Sequence, residues 1–319
     1  MQPMNIPSDY EQINCPVCYK NDATLLDERT IDKRLIRTIM CNHCSHAYLN
    51  PRARAPVYDE YYTSGFSQEF NAISNTASSV DLAAGNDAKT RRILDFLKPH
   101  LNPNSRVLEI GCGYGNIIAT LRDSLGASVT GIEPDPLARR VAFEAHGLEL
   151  QDTSFDAFFA ETQEKYDMII MHHVLEHMLY PNDVVERLYK LLKDDGVLYL
   201  GVPNIAAMTF PKQLFFRFPH VSYFTPFSLF ILLCQNGLQV VQYDSFQKAL
   251  AIIAIPHRNV ASVDWASVIR NSFPISKMKR VIFQRHWYHT VRLAIKHHIR
   301  PMLPRALKDF VKKYILYKI

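Results

Sequence analysis

Two C-x-x-C pairs, Cys15-Pro-Val-Cys18 and Cys41-Asn-His-Cys44, stand 22 residues apart. Each pair sets two thiolates on one tight turn, and two such turns complete a tetrahedral zinc site. Four sulfurs fill that site, so it is read as structural, with no open position for chemistry. His43 and His46 beside it are read as surface polarity. A second chemical stretch is Arg106-Val-Leu-Glu-Ile-Gly-Cys-Gly-Tyr-Gly115. A sharp turn demands φ > 0, and a ligand lying on the turn needs backbone without a Cβ, so Gly111, Gly113 and Gly115 suit a bound nucleotide-like group. Glu133 follows Gly111 by 22 positions. In nucleotide-binding α/β folds, an acid at that distance accepts hydrogen bonds from ribose hydroxyls. A third set is His172, His173, Glu176 and His177, with His220 further along; an imidazole titrating near neutral pH suits proton removal from a hydroxyl.

These residues need elements to place them. Thr24–Glu28 and Leu35–Met40 read as strands of a small ribbon between the cysteine pairs. Residues 1–14 read as a loosely held lead. Residues 64–86, rich in Ser, Asn, Ala and Gly, read as a mobile cover. A helix with Ile93, Leu94 and Leu97 on one face ends before Pro99. Apolar strands are expected at Val107–Ile110, Val129–Glu133, near Gln151-Asp152, at Tyr166–Met171 and at Gly196–Val202. They alternate with helices at Asn116–Ser124, Pro136–His146, Phe155–Glu164 and Asn182–Lys193. That alternation predicts a parallel sheet covered on both faces. Gly196 is expected to cap the helix before it. Thr225-Pro226 should open a helix over Phe227–Asn236, with Gly237 closing it. Leu238–Tyr243 and Ala249–Ile255 then form a final hairpin.

Taken together, the glycine turn, Glu133, the Val174-Leu-Glu-His177 segment and Val202-Pro-Asn204 resemble class I S-adenosylmethionine (SAM)-dependent methyltransferases. The likeness covers roughly residues 12–255 and is nearest to the small-molecule and sugar methyltransferases with a "VLEH" segment and an N-terminal zinc ribbon. It implies an α/β, Rossmann-like, seven-stranded sheet. It implies that Gly111, Cys112, Gly113 and Gly115 line the methionine and ribose part of SAM, with Glu109 preceding them. Glu133 would hold the ribose hydroxyls, Pro134 would border the adenine, and Asp152 would accept from its amino group. His172 and His173 would stand where the methyl group sits. The His220-Val-Ser-Tyr-Phe-Thr225 loop resembles one that closes over the acceptor, which makes His220 the general base and His173 a second catalytic residue. Tyr61 and Tyr62, at the join between ribbon and sheet, are read as packing residues. Quinone O-methyltransferases of the same superfamily carry an acid three positions before a Glu-His pair and hold a divalent metal there. Here His173 occupies the acid's position, which leaves a His173/Glu176/His177 site conceivable.

Composition sets the remaining bounds. The chain has 319 residues, 48% of them hydrophobic, enough for a sizeable core divided among several units. The expected division is a zinc ribbon over 1–55, linker and cover helices over 56–100, the SAM-binding domain over 101–256 and a basic helical tail over 257–319. From Pro256 to Ile319 there are 14 Lys and Arg against 2 Asp and Glu, a net of +12, while the rest carries 22 against 29, a net of −7. Tail helices are expected at Met278–His298 and Arg305–Tyr317, the second amphipathic and basic. That composition suits an ordinary packed face, a partner surface or peripheral contact with an anionic membrane, and nucleic acid is the least favoured partner. No run of 18 apolar residues is present, and Met1–Glu11 is polar, so neither a membrane span nor a secretion signal is expected there. A cytoplasmic protein, peripheral at the inner membrane face, follows as the expectation. Neither an Asn/Asp-Pro-Pro-aromatic motif nor a Pro-Cys nucleophile follows the fourth strand, which disfavours DNA base methylation. The reading is O-methylation of a sugar hydroxyl on a nucleotide-sugar or surface glycan in polysaccharide biosynthesis, with SAM and a structural zinc. The rivals are an RNA or quinone-type methyltransferase and a non-catalytic zinc-ribbon binding module.

Overall fold

The computed structural model describes residues 7–31, 33–62, 87–208, 215–246 and 249–256. The expected cover over 64–86 and the tail helices lie outside the described residues. Two bodies of structure share one core. The first is the ribbon: β1 (Tyr10–Glu11), β2 (Ala23–Ile31), β3 (Arg34–Cys41), β4 (Ala47–Leu49), β5 (Arg52–Ala53) and the short α1 (Ala55–Glu60). The lead is not loose throughout: Tyr10 and Glu11 pair antiparallel with Ala53 and Arg52. Tyr10 is buried, and Glu11 accepts from Arg52 Nε at 2.9 Å, so burial and an ion pair hold a segment that its polarity marked as free.

After α2 (Asp87–Leu97), whose Ile93, Leu94 and Leu97 are buried, the chain winds the main sheet. Its strands are β6 (Arg106–Ile110), β7 (Ser128–Ile132), β8 (Tyr166–His172), β9 (Leu192–Pro203), β11 (Leu238–Phe246) and β12 (Ala249–Pro256). The spatial order is β11-β12-β9-β8-β6-β7. β6, β7, β8 and β9 run parallel, while β12 is antiparallel to both β9 and β11. The connecting helices are α3 (Asn116–Leu125), α4 (Pro136–His146), α5 (Phe155–Glu161), α6 (Pro181–Leu191) and α7 (Pro226–Gln235). Period-two alternation explains why both faces are covered: Ile169 and Met171 of β8 enter one core, Met168 and Ile170 the other.

Among the described residues the sheet has six strands. The expected strand at Gln151 is a single parallel bridge from Gln151 to Ile132, flanking β7. Between α4, which ends at Gly147 (φ 62°), and α5, which opens at Ser154, only Gln151 exchanges backbone hydrogen bonds with the β7 segment, with Gly131 O and Glu133 N. Gly196 is also not a helix cap. α6 ends at Leu191 with Leu192 already extended, and Gly196 lies inside β9. A Cβ there would stand 2.9 Å from the Tyr166 carbonyl oxygen, so close backbone approach, not a left-handed turn, requires the glycine. Thr225 does cap α7, accepting from Ser228 N at 3.1 Å in a full capping box.

β6 has β7 on one side and β8 on the other, so successive connections leave β6 in opposite directions. That reversal opens a crevice beyond the carboxyl ends of the strands. Gly111, Glu133 and His172 stand at those ends.

Candidate active site

The cofactor side of the crevice is the turn after β6. Gly111, Gly113 and Gly115 have φ of 67°, 54° and 73°. A Cβ on Gly111 would stand 2.5 Å from Val174 Cγ2, and one on Gly115 would stand 2.6 Å from Leu148 Cδ1. A Cβ on Gly113 would meet nothing within 4 Å, so that glycine borders open space. Glu133 braces the turn: Gly113 N donates to its Oε2 at 2.8 Å and Asp135 N to its Oε1 at 2.9 Å. Burial pushes the Glu133 carboxyl up, and those two amides partly offset the rise. Cys112 is buried with its Sγ donating to Glu109 O at 3.1 Å. Glu109 is 2% exposed, its Oε2 has no partner among the described residues, and burial raises its pKa to about 8. An orphaned buried acid, an open bay at Gly113 and a carboxylate at the end of β7 fit a nucleoside carrying an amino-acid group. Pro134 is at the rim, its carbonyl accepting from Arg139 Nη1 at 2.7 Å. Asp152 is 71% exposed and held by Arg139 Nη2 at 2.7 Å, so a guanidinium already occupies the acid that the sequence assigned to an adenine amino group.

The opposite wall is built after β8. His172 Nδ1 lies 3.1 Å from the Tyr199 hydroxyl, the two rings stack, and its Nε2 is unpartnered among the described residues. Gly201 makes this possible: a Cβ there would lie 2.2 Å from His172 Nδ1. Burial holds the His172 pKa well below the ordinary range, with His173 and Lys89 adding to the effect. An unfolded histidine titrates near 6.5. The unfolded chain therefore takes this proton first as pH falls. The His172 contribution to stability is full above about 6.5 and is lost below it, at up to about 1.4 kcal/mol per pH unit. Glu109 has the opposite sign, since a raised carboxyl loses its contribution as pH rises toward about 8. The thermal midpoint is expected to fall between pH 6.5 and 5, and His172→Gln should flatten that fall; an equal slope in the variant would refute the assignment.

His173 sits at φ 58°, an uncommon conformation for a non-glycine residue, and its N donates to Gly201 O at 2.7 Å. Its Nδ1 is 3.0 Å from Glu176 Oε1, and the His173 side chain is 36% exposed while that of Glu176 is 1% exposed. Burial acts to raise the Glu176 pKa, but the hydrogen bond from His173 and the charges of His177, His173 and His220 leave it net lowered, so it is an anion. An anionic carboxylate only accepts, so His173 directs its Nδ1–H at Glu176. His177 Nδ1 is 2.9 Å from Pro219 O and 2.8 Å from the Tyr62 hydroxyl. The carbonyl fixes the tautomer with Nε2 free. The His220 ring stands 4.8 Å from that of His177, and burial pushes its pKa down to about 3. Atoms of Glu176, His177 and His220 lie within 4.8 Å of one another, and Glu176 Oε2 has no partner among the described residues. This set fits a divalent cation, with His220 in the place expected of His173.

The ribbon cysteines also converge. Cys15 and Cys44 Sγ are 3.5 Å apart, as are Cys18 and Cys41 Sγ, and all four lie within 4.8 Å. A ZnS4 tetrahedron with bonds of about 2.3 Å has edges of roughly 3.8 Å, so these side chains fit the metal. His46 is not surface polarity. It is fully buried, with Nε2 3.2 Å from Ser222 Oγ. Tyr61 packs edge-on against Phe218, as expected, whereas Tyr62 reaches His177. Sequence pattern carries no signal for the Tyr62 and Ser222 contacts, which join residues more than 100 positions apart. Gly201 inside a strand was a readable sign of close approach.

A doubly wound sheet with a glycine turn and a ribose-type acid at its switch point defines a nucleotide-cofactor fold. A family model described as "Methyltransferase domain" matches residues 82–243, and the chain belongs to that family. It is 34% identical over 123 residues to a ubiquinone biosynthesis O-methyltransferase of Actinobacillus pleuropneumoniae serotype 5b (strain L20), covering 35% of this chain and 52% of that protein. It is 33% identical over 116 residues to a ribosomal protein L11 methyltransferase of Thermosipho africanus (strain TCF52B), covering 35% and 43%. The chain thus spans about half the length of the curated relatives it matches. Among solved structures it is similar to magnesium protoporphyrin IX methyltransferase from Synechocystis PCC 6803 with bound SAM, at 18% identity and a TM-score of 0.45, covering 63% of this chain and 96% of that one. No helix among the described residues is long and apolar enough to cross a membrane.

Proposed function

We propose that this chain is a SAM-dependent O-methyltransferase with a structural zinc, acting on a hydroxyl of a nucleotide-sugar or surface glycan. The observation that carries the hydroxyl reading is the His173–Glu176 pair just beyond the end of β8, with the intervening Val174 against Gly111 of the glycine turn. When bound, SAM supplies an electrophilic methyl group on a sulfonium. The chain's own residues align and deprotonate the acceptor. Gly113 leaves room for the cofactor, and Glu133 holds the turn with both oxygens engaged by backbone amides. With SAM bound, its methyl group would pass to the acceptor oxygen, and His173 Nε2 would take the hydroxyl proton. The buried Glu176 carboxylate stabilises the imidazolium that forms, as in other carboxylate–imidazole pairs. His220, with a pKa near 3, is a weak base at neutral pH. It serves better as an orienting or ligating group, and His173 takes the base role that the sequence had given first to His220.

Two observations favour a second form of the same reaction. Glu176 Oε2, His177 and His220 fit a divalent cation, and such an ion lowers the pKa of a bound hydroxyl. The quinone O-methyltransferase relatives act, by their names, in ubiquinone biosynthesis, so a phenolic hydroxyl is the rival acceptor. Labelled SAM incubated with the full chain and fractionated host extract decides between them. Label in nucleotide-sugars or glycans supports the sugar reading, and label in quinone lipids replaces it. Label in RNA would overturn both and give the basic tail a nucleic-acid role, with the steep salt dependence that phosphate contacts impose. The tail's charge otherwise fits work beside an anionic membrane.

A further inference from the structure

The ribbon is joined to the acceptor wall at both of its knuckles. β10 (Ser222–Tyr223) begins two residues after His220 and is the outer strand of the ribbon sheet, in the order β10-β4-β3-β2. Ser222 pairs with Tyr48 and Tyr223 with Ala47, while Leu49 N donates to Val221 O at 3.1 Å. Side chains from the second knuckle reinforce the ladder. Ser45, directly after Cys44, has its Oγ 2.8 Å from Thr225 Oγ1, and His46 Nε2 is 3.2 Å from Ser222 Oγ. The first knuckle is gripped from the other side. Asn182, five residues after His177, donates to Pro16 O at 2.6 Å, and Gln235 Nε2 donates to Val17 O at 2.7 Å. Cys15, Cys41 and Cys44 belong to the same apolar core as β8, β9 and α6.

We propose that the four-cysteine ribbon is a positioning element of the acceptor site: through Ser45, His46 and the β4–β10 pairing it sets the loop that carries His220, and through the Asn182 clasp it sets the turn that carries Glu176 and His177. The ribbon joins the loops of His177 and His220, 43 positions apart in sequence (220 − 177), whose side chains must meet within 4.8 Å. His177 Nδ1 lies 2.9 Å from Pro219 O and Asn204, just after β9, bridges Phe224, and the β4–β10 pairing adds the tie that holds the segment between those two contacts. Ser45 and Ser222 position and do not touch the reacting atoms. The inference rests on the proposed function in one respect, that His220 and Glu176 line the acceptor.

The test is the double variant Ser45→Ala/Ser222→Ala in the full zinc-loaded chain. It leaves every cysteine and the backbone ladder in place. Expected results are an unchanged zinc content, a SAM dissociation constant within about twofold of wild type, and amide exchange at 220–225 about tenfold faster, with the glycine turn unaffected. Methyl transfer from labelled SAM into host extract should fall about tenfold or more in kcat, with KM for SAM held. If the double variant does not fold, Ser222→Ala alone is measured in the same way. Wild-type exchange at 220–225 would overturn the inference, and so would a uniform rise in exchange across the whole chain. Failure of the methyltransferase reading would show differently, as absence of transfer or SAM binding in the wild type itself, while the exchange comparison would still judge the ribbon.

Discussion

Glu176→Gln is expected to reduce methyl transfer by about 10²–10⁴-fold while leaving SAM affinity nearly unchanged, the range typical for loss of a positioned acid–base pair. Glu176 is among the most buried charged groups described, and its carboxylate is the only anion in contact with His173 Nδ1 among the described residues. Glutamine keeps the shape and can still accept from that N–H. It removes the charge that stabilises a protonated His173, so kcat falls, and it also removes the stability that the ionised carboxylate contributes. The same substitution weakens a cation at Glu176, His177 and His220, because a neutral amide is a poorer ligand for a hard ion than a carboxylate. The two causes separate by titration with Mg²⁺ or Mn²⁺. Wild-type turnover that survives exhaustive chelation assigns the effect to the imidazole pair, and turnover restored by added metal assigns it to the ion. Wild-type turnover in Glu176→Gln would remove the cluster from the mechanism. The acid limb has a stated sign. The lowered Glu176 pKa contributes stability above the unfolded carboxyl range, which is lost as pH falls through the folded value.

Gly113→Ala should abolish SAM binding, by about 100-fold or more, with a modest loss of stability near the 1–2 kcal/mol that left-handed backbone costs an L-residue. The position has φ 54°, and a Cβ there would point into open space with nothing within 4 Å. The added methyl group meets no protein atom there, and on the proposed function it would meet the cofactor. Gly111→Ala is the contrast. Its Cβ would drive into Val174 Cγ2 at 2.5 Å, so it should lower the unfolding midpoint by more than Gly113→Ala and displace the turn that carries Glu176. Calorimetric titration with SAM and thermal unfolding of the two variants give the comparison. Wild-type SAM affinity in Gly113→Ala would mean that the bay beside Gly113 is not the cofactor site.

Much of this arrangement was legible in local pattern. The three glycines fall at positive φ because a strand must turn at once into α3, and that demand is written in three residues. Thr225-Pro226 announces its helix by capping chemistry alone. The paired C-x-x-C knuckles converge as their spacing implies. What was not legible depends on distance in sequence. His46 reads as polar surface because the serine that satisfies it lies 176 positions away. His220 reads as a base by residue type alone, and its burial against His177, which lowers its pKa, is visible only in the fold. Of the seventh strand, only the Gln151 bridge to β7 forms among the described residues. The Arg139–Asp152 ion pair, likewise, is not legible in the local pattern.

The most direct measurement is transfer of labelled methyl from SAM by wild type and Glu176→Gln side by side, with the product bond identified. The expected result is label in a nucleotide-sugar or glycan fraction as a methyl ether, formed by wild type and lost in Glu176→Gln. Label on nitrogen or carbon would contradict O-methylation. So would no transfer to any fraction by a wild type that binds SAM.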